Sequence, residues 1–387
     1  MNFEMKNKKW ISPTICVTHT CNLNCIYCYE NKKDNYSKLS FDKAIKIIDG
    51  IFEEKQDEVD GIEFCFIGGE PLLEFDLIKN IVEYYKLLEK QPNCNYIFSA
   101  TTNGTILNSD MKKWLIKNKN KFILCLSLDG NKETQDYNRD KSFDKIDLNF
   151  FFNNYPNQGI KMTISQYSIY KLSENVKFIH SLGFKRINGV NLAEGDFDFS
   201  NEEYIKILVP QLKDLVDFYS SPKNSMLFNQ LFDKKLEFLE DNARRYKKNC
   251  GIGGIGTAFY DVDGTKYPCV MCTPMTLEIN QLRKLNSIDF FNDDQFVDYT
   301  CNEDCYIYPI CSNCAGSNFR IRSSFSNRDK SRCQIKKLEV LFVAELIGRK
   351  IIQNPKLFND DTVLYYTIEA IKKIKEIYYP IFKKYIE

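Results

Sequence analysis

Histidine is almost missing from this chain: two in 387 residues, His19 and His180. That scarcity nearly excludes a zinc hydrolase built on several imidazole ligands. An excess of either charge is missing too, since 53 basic and 52 acidic residues leave a formal charge of +1. Neither a basic nucleic-acid footprint nor an acidic interaction tail is present. Long apolar runs are lacking as well. No stretch reaches the roughly 18 to 20 uninterrupted apolar residues of a membrane span, and the most apolar segment, Leu338 to Ile352, is broken by Glu339, Glu345, Arg349 and Lys350. The first residues, MNFEMKNKKW, are not followed by an apolar run and a small-residue cleavage site. The expected location is the cytoplasm, with neither membrane nor nucleic acid as a partner.

What the chain has in abundance is cysteine, fifteen in all. In a reducing compartment that number points to metal or redox chemistry rather than a disulfide framework. With so little histidine, the thiolates must be the ligands. The length allows two or three domains.

Short apolar runs alternate with amphipathic stretches from residue 10 to about 190. Strands are expected at Thr14–Thr18, Ile62–Ile67, Tyr96–Ala100, Phe122–Leu128, Gly159–Ile164 and Phe184–Val190, with helices at Phe41–Glu54, Phe75–Leu88, Asp110–Asn118 and Ser173–Leu182. Strand and helix alternating at this spacing argue for parallel βα units. Six units are too few for an eightfold barrel, so the expected fold is α/β with an open, partial (β/α)6 barrel. Ligands in such folds lie beyond the carboxyl ends of the strands. The boundaries read as a partial barrel over 10–195, a polar helical bridge over 196–249, a cysteine-rich domain over 250–333 and closing helices over 334–387. Eight cysteines fall in the third segment among Gly, Pro and Asn. Such a composition needs metal to organise it. The closing helices are expected at Gln334–Gln353 and Asp360–Lys384.

The loop after the first strand reads Cys21-Asn-Leu-Asn-Cys25-Ile-Tyr-Cys28. Three thiolates on one short loop suit three irons of a [4Fe–4S] cube, with the fourth iron open to a small ligand. Zinc is the alternative, with the nearby His19 completing its tetrahedron. The second strand ends in Gly68-Gly69-Glu70-Pro71, the third in Thr102-Asn103-Gly104, and the fourth in Ser127-Leu-Asp129-Gly130.

C-x3-C-x-aromatic-C after a first strand, followed by these turns in this order, resembles the radical S-adenosylmethionine (radical SAM) family. The resemblance implies that the amino and carboxylate groups of S-adenosylmethionine chelate the open iron. One electron then splits the sulfonium to a 5′-deoxyadenosyl radical that takes hydrogen from a substrate. It also implies that Gly68, Gly69 and Glu70 meet the methionine moiety, with Glu70 near its ammonium. Thr102, Asn103, Ser127 and Asp129 face the ribose and methionine parts. Arg139 lies near the cofactor carboxylate, with a surface salt bridge as the alternative; Ser165 is a weaker candidate.

The second array reads Cys250, Gly264-x4-Cys269, Cys272, Cys301-x3-Cys305-x5-Cys311-x2-Cys314 and Cys333. It resembles the SPASM domain, an auxiliary iron–sulfur module of radical SAM peptide-modifying enzymes. Thirteen residues separate Cys250 from Gly264, within that pattern. The four-cysteine run departs from it, being x3, x5, x2 where the family has x2, x5, x3. By resemblance, Cys250, Cys269 and Cys314 belong to one auxiliary site, with Cys272 as its fourth ligand or an iron left open. Cys301, Cys305, Cys311 and Cys333 form the other. A structural zinc module is the alternative. The remaining cysteines, Cys16, Cys65, Cys94 and Cys125, read as small buried hydrophobes, and His180 as structural.

Family members of this kind mostly modify peptides or proteins. The expected activity is maturation of a small ribosomal precursor peptide, forming a thioether or carbon–carbon cross-link. Anaerobic sulfatase maturation, which makes formylglycine, is the alternative. That branch carries an aspartate after the Cys269 equivalent, where this chain has Val270. A non-catalytic zinc or electron-transfer scaffold is a third reading. The resemblance implies an external electron donor such as flavodoxin or ferredoxin. About ten residues precede the first strand, so leader binding is expected on the catalytic domain or on a separate leader-binding protein. No catalytic side chain is assigned.

Overall fold

The computed structural model describes residues 9–30, 36–88, 91–195, 197–248, 250–311 and 313–387. Ten strands run in chain order: β1 Trp10–Ile11, β2 Thr14–Thr18, β3 Gly61–Gly68, β4 Asn95–Thr102, β5 Phe122–Leu126, β6 Ile160–Ile164, β7 Arg186–Leu192, β8 Phe228–Asn229, β9 Phe259–Tyr260 and β10 Lys266–Tyr267. The six strands expected from periodicity are β2 to β7.

The chain divides into two units. The first comprises the segment ending at Ser127 together with Ser142–Gln158 and Gly251–Phe290. Its sheet runs β10-β9-β2-β3-β4-β5, with β1 pairing β3. Every neighbour from β9 to β5 is parallel, and only the β9–β10 hairpin is antiparallel. Parallel pairing needs crossovers, and the helices Phe41–Lys55, Phe75–Lys86 and Ser109–Asn118 supply them. Phe64 and Phe66 alternate along β3 onto one face, where Phe98 of β4 stacks on both, and Phe52 and Tyr85 close the layer from the helices. Ser40 caps the first of these helices by accepting from Lys43 N–H.

The second unit comprises Leu128–Lys141, Gly159–Cys250 and Phe291–Glu387. Its sheet is parallel throughout, in the order β6-β7-β8. Helices Leu172–Ser181 and Glu202–Ser220 pack together, and Cys333–Gln353 lies between Glu202–Ser220 and Asp361–Ile386. Its nine buried residues include the run Leu338 to Ala344. A helix apolar on all sides is a core helix, which explains why this segment was the most apolar of the chain. Among the described residues, no helix is long and apolar enough to cross a membrane.

The expectation of a polar helical bridge holds only in part. Helix Glu202–Ser220 stops before Pro222, which removes a backbone donor, and β8 then pairs with β7. Beyond it lie short 3-10 turns with Leu231, Phe232, Leu236 and Leu239 buried; the last three stand at helical spacing, yet no α-helix forms there. Helices Lys132–Asn138 and Leu148–Asn154 are too short to have stood out in the sequence.

Candidate active site

The three-thiol loop leaves the carboxyl end of β2, where the end of β3 grips it by main-chain bonds. Gly69 N–H donates to Thr18 O at 3.0 Å and Glu70 N–H to Thr20 O at 2.8 Å. A Cβ on Gly68 would stand 2.2 Å from Thr18 O, and one on Gly69 would stand 2.3 Å from Thr20 O and 2.8 Å from Cys21 Cβ. Both glycines are therefore required by the approach of the cluster loop itself. Cys28 N–H closes a turn on Cys25 O at 3.1 Å, and Cys21, Cys25 and Cys28 are all part-exposed.

Glu70 is buried, with 1% of its surface exposed. Its Oε1 accepts from Thr102 Oγ1 at 2.6 Å and Leu72 N–H at 3.1 Å, and its Oε2 from Asn103 N–H at 2.7 Å. Asn103 Nδ2 donates to Asn22 Oδ1 at 2.9 Å, and Asn22 Nδ2 to Thr105 Oγ1 at 2.8 Å. The turn after β4 uses Gly104 at φ 78°, a conformation glycine adopts without strain. The sequence-predicted residues Gly68, Gly69, Glu70, Thr102 and Asn103 thus form one network with the cysteine loop. Asn22, which the sequence reading passed over, is the loop's own link to it. Ser127 is buried, and its N–H donates to Thr102 O at 2.9 Å.

In the second unit, Asp129 and Arg139 face each other. Arg139 Nη2 and Nε lie 3.2 Å from Asp129 Oδ1 and Oδ2, a two-point contact in which Asp129 is fully buried. Asp129 also accepts from Asn138 Nδ2 at 3.0 Å and from Thr163 N–H at 2.9 Å. The ion pair weighed for Arg139 exists, but it is buried rather than on the surface. Ser165 Oγ donates to Asn138 Oδ1 at 2.8 Å within the same cluster.

His19 does not turn to the cysteine loop. Its Nε2 stands 2.6 Å from Asp261 Oδ1, both side chains being buried. Asp261 follows β9 and also accepts from Val262 N–H. With Cys16, these donors lie within 4.8 Å of one another, so Cys16 is more than a small hydrophobe in its surroundings. Asp261 engages one nitrogen of that imidazole, and the loop itself carries three thiols. That set fits a cube with one iron open.

In the first unit, Cys269 and Cys272 lie 3.7 Å apart, sulphur to sulphur, and hydrogen bonding from Cys272 holds the Cys269 thiol below its usual pKa. Cys250 and Cys314 belong to the second unit; Cys314 Sγ accepts from Ser317 N–H at the start of helix Ala315–Arg322. Cys301, Cys305, Cys311 and Cys333 line a cavity of about 330 Å³ at the carboxyl end of β7, and Cys314, expected at the other auxiliary site, lines it with them. Burial, then the nearby Cys301, Cys311 and Cys305, push the Cys333 thiol up to about 11. Thiols raised in this way, Cys311 and Cys333, need a cation or a metal nearby before they can ionise.

Positive charge is at hand. Lys330 Nζ lies 2.5 Å from Cys301 Sγ and 2.8 Å from Asp298 Oδ2, and Asp298 caps the helix carrying Cys301. Arg328, Lys336 and Lys337 line the same cavity. Arg332 reaches the carbonyls of Leu192 and Ala193, fixing the chain before Cys333 to the end of β7. The signal in the sequence was the basic run Arg328-Asp-Lys330-Ser-Arg332-Cys333. The buried Nε of Arg328 has no hydrogen-bond partner. Four thiols beside an orphaned guanidinium fit an anionic, thiolate-ligated metal group.

These features agree with the family comparison: residues 15–149 match the Radical SAM superfamily. A cysteine-type anaerobic sulfatase-maturating enzyme of Clostridium novyi is 27% identical over 321 residues, covering 75% of this chain and 83% of that enzyme. An uncharacterised protein of Methanocaldococcus jannaschii is 32% identical over 178 residues, and the match spans 44% of this chain and 59% of that protein's length. Among solved structures, anSMEcpe with bound AdoMet matches over 93% of this chain and 98% of its own, with TM-score 0.64 and 20% identity. Streptococcus suis SuiB, bound to its precursor peptide SuiA, matches over 84% and 76%, with TM-score 0.55 and 16% identity. The structural likenesses establish the α/β fold with its parallel sheet.

Proposed function

We propose that this chain is a radical SAM peptide maturase, which takes hydrogen from a small ribosomal precursor peptide and forms a thioether or carbon–carbon cross-link. The observation that carries the reading is that the chain has both a three-thiol loop, locked to the strand ends of the first unit, and a cavity lined by five cysteines in the second. In this reading residues 10–195 act as the catalytic part, residues 250–333 act as the auxiliary-cluster domain, and 196–249 and 334–387 support it.

Cys21, Cys25 and Cys28 would hold a [4Fe–4S] cluster, whose chemistry with bound S-adenosylmethionine is the supply of a 5′-deoxyadenosyl radical. The chain's own part is to hold and shield. Glu70 fixes the Thr102–Asn103 turn against the loop through Asn22, and Gly68 and Gly69 let the loop close on β3. Asp129 holds the Arg139 guanidinium in one orientation, leaving its other donors for a carboxylate. Cys301, Cys305, Cys311 and Cys333 would hold one auxiliary cluster, and Cys250, Cys269 and Cys314, with or without Cys272, the other. Electrons would come from a flavodoxin or ferredoxin, and a separate leader-binding protein would present the peptide.

Sulfatase maturation is the second reading. The match to the Clostridium novyi enzyme over most of both chains favours it; Val270, in place of an aspartate after Cys269, speaks against it. The deciding experiment is mass spectrometry of candidate peptides after anaerobic incubation with reconstituted protein, S-adenosylmethionine and dithionite. Loss of two hydrogens from a precursor peptide encoded beside the gene, with new links between residues, supports the maturase. Conversion of a sulfatase-derived cysteine peptide to formylglycine, with the precursor unchanged, replaces it by the second reading.

A further inference from the structure

Arg328, Arg332, Lys336 and Lys337 line the cysteine cavity at the end of β7 and Lys330 reaches Cys301 beside it, but they are not equivalent; Arg332 is paired with Glu194 and Asp329. Lys336 is paired with Glu339 at 2.9 Å. Lys330 is paired with Asp298 at 2.8 Å. Lys337 is only half-buried, so solvent screens it. Arg328 differs from the others. Only 7% of its surface is exposed, and among the described residues its guanidinium meets no carboxylate. It lies instead over the ring of Tyr308, 3.8 Å from the centroid, and Tyr308 is itself buried. Its chain neighbour Asp329 is paired with Arg322 and Arg332, and Asp298, which accepts the Arg328 backbone N–H, gives its charge to Lys330.

A buried guanidinium without an anion is costly. Its natural counter-charge is whatever fills the cavity it lines. We propose that Arg328 sets the reduction potential of the metal group held by Cys301, Cys305, Cys311 and Cys333, by placing an uncompensated positive charge beside it. This rests on the reading of that site as an iron–sulfur cluster. Reduction adds one electron to the site and makes its net charge more negative by one, with no bond made or broken. In the test the electron comes from dithionite. A fixed cation stabilises the more negative state and raises the potential.

The test is an EPR-monitored redox titration of the full-length, reconstituted protein. The C21A/C25A/C28A background removes the first cluster's signal. Arg328→Gln should weaken reduction of the site about tenfold, a fall of about 59 mV for a one-electron couple. Arg328→Lys, which keeps the charge, should leave the potential near the parent value. Glu339→Gln, which releases Lys336 from its carboxylate, should move it the other way. An unchanged potential in Arg328→Gln at full iron content overturns the proposal while leaving the cluster reading intact. If Arg328→Gln does not fold, Arg328→Met, which keeps the apolar stem without the charge, is titrated in its place, and an unchanged potential in it overturns the proposal equally. Zinc in place of iron at the second array, found by metal analysis of the parent, removes the cluster reading and this proposal with it.

Discussion

His19 Nε2 stands 2.6 Å from Asp261 Oδ1, and the two residues are 242 positions apart in the chain. His19 lies two residues before the first cysteine of the loop. Asp261 follows β9, the strand that adds to β2 and leads through its hairpin towards Cys269. The contact therefore ties the start of the cluster loop to a segment from the far end of the sequence. With a carboxylate as acceptor, Nε2 carries the proton. Asp261→Ala leaves that N–H and the Val262 N–H without their buried acceptor, at a cost of about 1 to 3 kcal/mol. Thermal unfolding should show this, together with lower iron retention at the loop. Asp261→Asn keeps an oxygen for His19 and should lose less; equal losses in both variants would mean that the hydrogen bond is not what holds the loop.

Gly69→Ala should displace the cluster loop. The new methyl group would meet Thr20 O at 2.3 Å, and backbone cannot step aside as a flexible side chain would. Overpacking of this kind costs about 1 to 3 kcal/mol. The expected outcome is a folded protein that reconstitutes with less iron and forms less 5′-deoxyadenosine. Wild-type iron content in this variant would contradict the close approach.

Glu70→Gln tests the buried network. An amide offers one oxygen where the carboxylate offers two, so it cannot accept from Thr102 Oγ1, Leu72 N–H and Asn103 N–H in the same geometry. The loss should be about 1.5 to 3 kcal/mol, the range for hydrogen bonds to a charged group. Weaker S-adenosylmethionine binding by calorimetry should accompany it. Full stability and full binding together would show that the turn needs only one acceptor.

Strands β2 to β7 were legible because each carries at least five residues with an apolar or β-branched pattern. β1, β8, β9 and β10 were not, being two residues each and set by their neighbours rather than by their own sequence. The cysteine loop and the GGEP and TNG turns were legible from spacing alone. Their mutual hydrogen bonds through Asn22 were not, because an asparagine in a loop carries no signal of its partner. Asp129 and Arg139 were both assigned to the cofactor, yet they meet each other; ten residues of sequence hide a contact that the helix Lys132–Asn138 folds back into place. The basic run before Cys333 was visible, but which of its charges is compensated depends on Asp298 and Glu339, which only the fold brings near.

The two cysteine groups should separate in function. Replacing Cys21, Cys25 and Cys28 with Ala should abolish 5′-deoxyadenosine formation, read by chromatography. Replacing Cys301 or Cys333 should spare that cleavage and block peptide modification, because those thiols lie in the second unit's cavity. Iron in the parent should approach about twelve atoms per chain for three four-iron clusters. Equal loss of both steps in the Cys301 and Cys333 variants would make the cavity a purely structural site.

His180 gives a pH dependence whose sign is fixed by its surroundings. The ring is buried; Nδ1 lies 2.8 Å from Phe184 O and Nε2 2.7 Å from Tyr219 OH. A carbonyl can only accept, so Nδ1 carries the proton and Nε2 accepts from the tyrosine. Tyr219 OH also accepts from Asn229 Nδ2 at 3.1 Å. Burial disfavours the charged ring, and the folded-state pKa is lowered from the usual value. The unfolded chain therefore binds the proton first as pH falls, and folding loses stability there. The contribution is complete above the unfolded pKa of about 6.5. It declines as pH drops through the window down to the folded value and is constant below it. His180→Gln can still donate an amide N–H but has no proton to gain, so it should lack this component. Urea unfolding of both proteins from about pH 7.5 down to 5 should show a difference in stability that narrows with acid, since shared carboxylate effects cancel. A constant difference across that range would mean that His180 titrates alike in the folded and unfolded chain.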